Sequence, residues 1–119
     1  MMLKKTSKRI LEKGFVSMGD HYTKHGGAKN LTITEHKIGT QTMLEILAET
    51  KTRKLKAPEK EVLDKIAIID RVKRLESVDI GEQTSLLLSV TISEEDADNL
   101  DGFIDELNNS LDNLISRIE

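Results

Sequence analysis

The amino-acid sequence predicts an α+β domain, mainly helical, with one clear strand near 85–92 and an amphipathic heptad helix at its C-terminal end. Three observations lead there. Apolar residues make up 37% of the chain but aromatics only 3%, so the core must be aliphatic, which suits helices packed along Leu, Ile, Val, Met and Ala stripes. Ala97, Leu100, Ile104, Leu107, Leu111, Leu114 and Ile118 are spaced alternately three and four apart, the seam of a heptad helix over 93–118. Leu86, Leu88, Val90 and Ile92 alternate with Leu87, Ser89 and Thr91, the period of a half-buried strand. At 119 residues a single hydrophobic core is the default.

Taken in order, Leu3, Ser7, Ile10 and Leu11 fall at helical spacing among Lys4, Lys5, Lys8, Arg9 and Lys13, predicting a short basic helix over 3–13. Glycines at 14, 19, 26 and 27 interrupt any pattern as far as Asn30, so 14–30 reads as a loop or mobile arm. The expected organisation is therefore a basic helix and arm over 1–30 and a core domain over 31–119. Leu31 and Ile33 between Thr32 and Thr34 give a short strand signal. Thr42-Met43-Leu44-Glu45 has the form of a capping box and predicts a helix over 42–50. Pro58 is suited to a helix start, and Val62, Leu63, Ile66, Ile69, Val72 and Leu75 supply a helical stripe over 58–76. Residues 77–83, with Asp79-Ile80-Gly81, read as a turn. Ser93 followed by Glu94, Glu95 and Asp96 is a helix start, because carboxylates are favoured in the first turn.

Several function classes are excluded on composition. The chain has no cysteine, which removes disulfides, thiolate metal sites and a cysteine nucleophile. No apolar stretch has the length of a signal peptide or a membrane span, so the expected location is the cytoplasm and no membrane partner is expected. Two matches to the N-glycosylation pattern, at Asn30 and Asn108, are then chance matches. Few aromatics also argue against a stacking platform for single-stranded nucleic acid.

Motifs with chemistry are sparse. Asp20, His21, His25 and His36 have metal-ligand character but no ligand spacing known for zinc, and solvated histidines explain them. Gly14 to Gly19 has phosphate-loop glycine spacing, but Asp20 and His21 stand where Lys and Ser or Thr belong. Asp96, Asp98 and Asp101 resemble a calcium loop out of register. No metal, cofactor or catalytic residue is assigned, and no enzyme activity is expected.

Charge is the remaining signal. Up to Ala57 there are 12 Lys and Arg against 5 Asp and Glu, a net of +7; from Pro58 onward there are 6 against 16, a net of −10. Either the halves neutralise each other on folding, or each faces a partner of opposite sign. Lys4, Lys5, Lys8 and Arg9, with Lys51, Arg53, Lys54 and Lys56, are the candidate phosphate-contacting residues. Leu100, Ile104, Leu107, Leu111, Leu114 and Ile118 are the candidate interface of a homo-oligomer, or the packing face of a helix within one chain. The expected function is a non-enzymatic accessory or regulatory binding protein. It would oligomerise through its C-terminal helix and offer its basic half to an acidic partner, nucleic acid among the candidates. The alternatives are an inhibitor or adaptor that occupies a basic protein site through its acidic half, and an assembly or scaffold component.

Overall fold

Among the described residues three two-residue reversals fall on Gly-X pairs, and they turn segments that read as loop and helix into one antiparallel sheet. The computed structural model describes residues 4–26, 29–69 and 74–117. Its elements in chain order are α1 (Lys4–Glu12), β1 (Val16–Ser17), β2 (His21–Gly26), β3 (Lys29–Ile38), β4 (Gln41–Arg53), α2 (Ala57–Ile69), β5 (Arg74–Ile80) and β6 (Gln83–Ser93). A 3-10 helix, Glu94–Asn99, then leads into α3 (Leu100–Ser116). The six strands form one sheet in the order β1-β2-β3-β4-β6-β5, every pairing antiparallel.

The reversals at Gly19-Asp20, Gly39-Thr40 and Gly81-Glu82 each carry positive φ at the glycine, and no non-glycine among the described residues does. That combination marks the type II′ hairpin turn, whose twist matches the flanking strands. The Met18 amide donates to the His21 carbonyl at 2.8 Å to close the first of them.

The mainly helical expectation is therefore overturned, and with it the description of the chain as helical. The predicted helix over 42–50 is β4, the central strand between β3 and β6. Met43, Leu44, Ile46 and Leu47 satisfy a helical period, but Leu44, Ile46, Ala48 and Thr50 also satisfy a period of two, and these four are buried. Pairing with two neighbouring strands decides between the readings, since propensity is only a weak prior. The turn predicted over 77–83 is the end of β5, a two-residue reversal and the start of β6. Helix α2 stops at Ile69, and Leu75 belongs to β5. Val72 lies outside the described residues. Residues 16–26, expected as part of an arm, extend the sheet as β1 and β2. The strand near 85–92 is found as β6, and the first helix as α1.

The core lies on one face of the sheet. Leu31, Ile33, Leu44, Ile46, Ala48, Leu86, Leu88, Val90 and Ile92 point to it and are buried against Ile10, Leu100, Ile104, Leu107, Leu111 and Leu114 from the helices. Helix α1 is anchored by Ile10, fully buried, and by a 2.7 Å hydrogen bond between the Ser7 and Tyr22 hydroxyls. The predicted start of the last helix is modified. Ser93 makes no capping hydrogen bond and its hydroxyl instead meets Asp96 at 3.2 Å; the first six residues are 3-10 before α3 begins.

The start of α2 is fixed by polar contacts. Glu59 accepts the Lys56 amide at 3.0 Å, the reciprocal half of a capping box, and pairs with the Arg53 guanidinium. These donors pull its carboxyl from an ordinary value of 4.5 to about 2, the Arg53 hydrogen bond contributing most. A carboxyl with a depressed folded-state pKa stabilises the fold above its unfolded pKa, and that contribution disappears as the pH falls toward the folded value. Glu59→Gln should therefore lower the melting temperature at neutral pH, and the gap from the wild type should close between pH 4.5 and about 2. Thermal melts of both proteins across that window check it; a gap unchanged at the acid end contradicts the Glu59 contacts. Nearby, the Thr84 hydroxyl accepts the Leu55 amide at 3.0 Å and donates to Asp79 at 2.8 Å, while Lys60 reaches Asp79 at 2.8 Å. These contacts tie α2 to the β5–β6 hairpin and hold Asp79 below the usual carboxylate range.

Candidate functional site: the open face of the sheet

All three helices lie on the core side. Strand alternation sends every second residue to the opposite face, and register aligns them in rows: Val16, Thr23, Thr32, Leu47, Ser89 and Arg74 form one such row across all six strands. This face has no covering layer among the described residues. Leu47, Leu87 and Val78 are successive diagonal neighbours across β4, β6 and β5, and Ile80 follows Val78 on the same side of β5. Diagonal neighbours lie about 7–8 Å apart, within reach of one another. Leu47 and Leu87 are half-buried, whereas Val78 and Ile80 are 44% and 57% exposed. At the other margin Val16 and Met18 are 60% and 56% exposed. A depression of about 230 Å³ between Glu45, Leu47, Arg74, Glu76, Leu87 and Ser89 lies near the middle.

Charges of both signs share the face. Glu45, Glu49 and Glu76 share it with Lys51 and Arg74, and Arg74 meets Glu76 at 2.6 Å. The three histidines also project here, in different rows. His21 meets Asp20 at 2.7 Å, which depresses the Asp20 pKa, and His25 meets Asn30 at 2.7 Å. No group of three metal-ligating side chains occurs among the described residues.

The residues predicted for a phosphate site do not converge. Arg9 pairs with Asp98, Lys13 with Asp101, Lys29 with Asp112 and Arg53 with Glu59. Each pair joins the basic part of the chain to the acidic part, so mutual neutralisation accounts for much of the charge asymmetry. Lys8 is exposed on α1; Lys4 and Lys5 open that helix, but their side chains lie outside the described set. Lys51, Lys54 and Lys56 are exposed at the far end of β4 and the loop beyond it. Arg9 is held at the 3-10 helix after Ser93, which pairs with Met43, and Arg53 lies ten residues further along β4. At a strand rise of about 3.3 Å per residue Met43 and Arg53 are some 33 Å apart, which puts the two basic clusters toward opposite ends of β4.

The heptad seam is spent inside the chain: Leu100, Ile104, Leu107, Leu111 and Leu114 are buried against the sheet. Ile118 lies outside the described residues. What sequence reasoning missed is the open face itself. Its signals were present in the alternation of β5 and in the Gly-X pairs at 39–40 and 81–82, which mark hairpins. No helix among the described residues is long and apolar enough to cross a membrane. Comparison with protein-family models, curated proteins and solved structures finds no match to this chain.

Proposed function

We propose that this chain is a non-enzymatic cytoplasmic binding protein that self-associates through the open face of its sheet, two copies packing face to face. The observation that carries this reading is a six-stranded sheet with helices on one side only and an apolar diagonal on the other. Six strands about 4.8 Å apart, three of them short, offer at about 3.3 Å per residue on the order of 800 Å². A standard interface takes about 800 Å² per partner. A two-fold interface must be self-complementary, and a face carrying Glu45, Glu49 and Glu76 together with Lys51 and Arg74 offers charges of both signs to a copy of itself. The test is Val78→Glu with Ile80→Glu. Both side chains are exposed, so the double variant should keep the wild-type melting temperature at low concentration and lose association in sedimentation. A variant that associates like the wild type overturns the assignment to this face.

A second reading, phosphate contact, is favoured by exposed Lys51, Lys54 and Lys56 in one short stretch. If all three neutralise duplex phosphates, replacing them with alanine should reduce the log-log salt slope of binding by about 2.7, roughly 0.9 per contact. Fluorescence anisotropy with an unrelated duplex, from about 50 to 200 mM salt, reads that slope. A wild type that does not bind at the low-salt end removes this reading.

A further inference from the structure

On the core side, a cavity of about 330 Å³ opens between the β2–β3 hairpin, the link from α1 to β1, and α3. Its floor is apolar, formed by Phe15, Leu31 and Ile104, all largely buried. Its walls carry Lys13, Lys24, Lys29, Asp101, Asp105 and Asn108. Two of the lysines are already neutralised, Lys13 by Asp101 and Lys29 by Asp112 at 2.6 Å. Lys24 is not. Its ammonium donates to the Lys13 carbonyl at 2.8 Å and lies 5.9 Å from the centre of the Phe15 ring, with no carboxylate in ion-pairing range among the described residues. Asp105 lies one turn beyond Asp101 on α3 and makes no ion pair among the described residues. One turn further, the Asn108 side-chain oxygen is enclosed without a hydrogen-bond partner.

Lys24 is half-buried beside the Phe15 ring, and an ammonium placed against apolar surface without a counter-charge favours an anionic partner. The cavity thus offers a cation and a carboxylate that make no ion pair among the described residues, above an apolar floor. We infer that it binds a small apolar zwitterion, an α-amino acid with an aliphatic side chain. The ligand carboxylate meets Lys24, its ammonium meets Asp105, and its side chain covers Phe15, Leu31 and Ile104. The volume is at the small end of the range for ligand pockets, about 300–1,000 Å³, which suits a metabolite of this size. The site is on the opposite side of the sheet from the open face and stands independently of self-association.

L-leucine is the probe, and amide resonances of the full chain are the readout. Saturable shifts are expected at Lys24, Leu31, Asp105 and Asn108. The analogue without the ammonium, 4-methylpentanoate, and the one without the carboxylate, 3-methylbutylamine, should each bind at least about tenfold more weakly, as loss of a charge-assisted contact implies. Lys24→Met and Asp105→Asn should weaken leucine to a similar degree; Asp105 is exposed, so the second substitution leaves the fold intact even if the first does not. No shift with leucine up to about 10 mM, beyond the millimolar range of weak ligands, overturns the inference and leaves the cavity to water. So does equal binding of leucine and either analogue.

Discussion

Leu107→Asp is expected to abolish cooperative unfolding, leaving a chain with no folded baseline at neutral pH. Leu107 is fully buried near the middle of α3, on the face packed against β4 and β6. A carboxylate there loses its hydration without gaining a partner, and the apolar contacts of the leucine are lost as well. The cost is several kcal/mol in a domain whose total stability is about 5–15 kcal/mol. Leu107→Ala grades the effect: it removes the side chain without adding charge and should cost about 2–5 kcal/mol. Circular dichroism melts and urea titration measure both. Because the seam is intramolecular, the alanine variant should lose stability equally at low and high protein concentration; a loss that vanishes on dilution would instead place the seam between chains.

Ile46→Asp is expected to be nearly as damaging, and its neighbour Leu47→Asp much less so. Ile46 is fully buried between Ile33 and Val90 on the core face. Leu47 pairs with Thr32 and Ser89 on the open face and is half-buried. The first substitution should cost several kcal/mol and the second about 1 kcal/mol, the typical effect of a change away from the core. Melts at low protein concentration keep association out of the comparison. A helix over 42–50 makes a different prediction, since Met43, Leu44, Ile46 and Leu47 would then share one buried face and the two substitutions would cost about the same. Equal costs at 46 and 47, or a larger one at 47, contradict the strand register.

The fate of 42–50 shows why half of the fold was legible and half was not. Where a segment has only one period, the sequence suffices: β6 alternates, α3 carries a heptad, and α1 ends at Gly14 with positive φ. β4 has two periods at once, and what selects between them is the presence of β3 and β6 on either side, which no local window contains. β5 was absorbed into a neighbouring helix and turn because Leu75 continues the stripe of α2. Gly19 was read as a breaker, Gly81 as part of a turn, and Gly39 was not read at all, when each is the first residue of a two-residue hairpin. The charge asymmetry was visible from composition, but its resolution into Arg9–Asp98, Lys13–Asp101 and Lys29–Asp112 depends on α3 crossing the sheet beside α1 and β3. Of the predicted phosphate cluster, Lys51, Lys54 and Lys56 stand exposed, whereas Arg9 and Arg53 are paired. Lys24 is far in sequence from Asp105 and Asn108 on α3, and only the fold brings them to one cavity.

The central claim is that the uncovered face of the sheet is an interface between two copies of this chain. Sedimentation velocity of the wild type from about 1 to 200 μM spans the micromolar dissociation constants of a modest interface. The mass should rise from 13.4 kDa toward twice that value, with the Val78→Glu, Ile80→Glu protein remaining at the lower mass throughout. A wild type that stays at 13.4 kDa across the whole range contradicts self-association through this face.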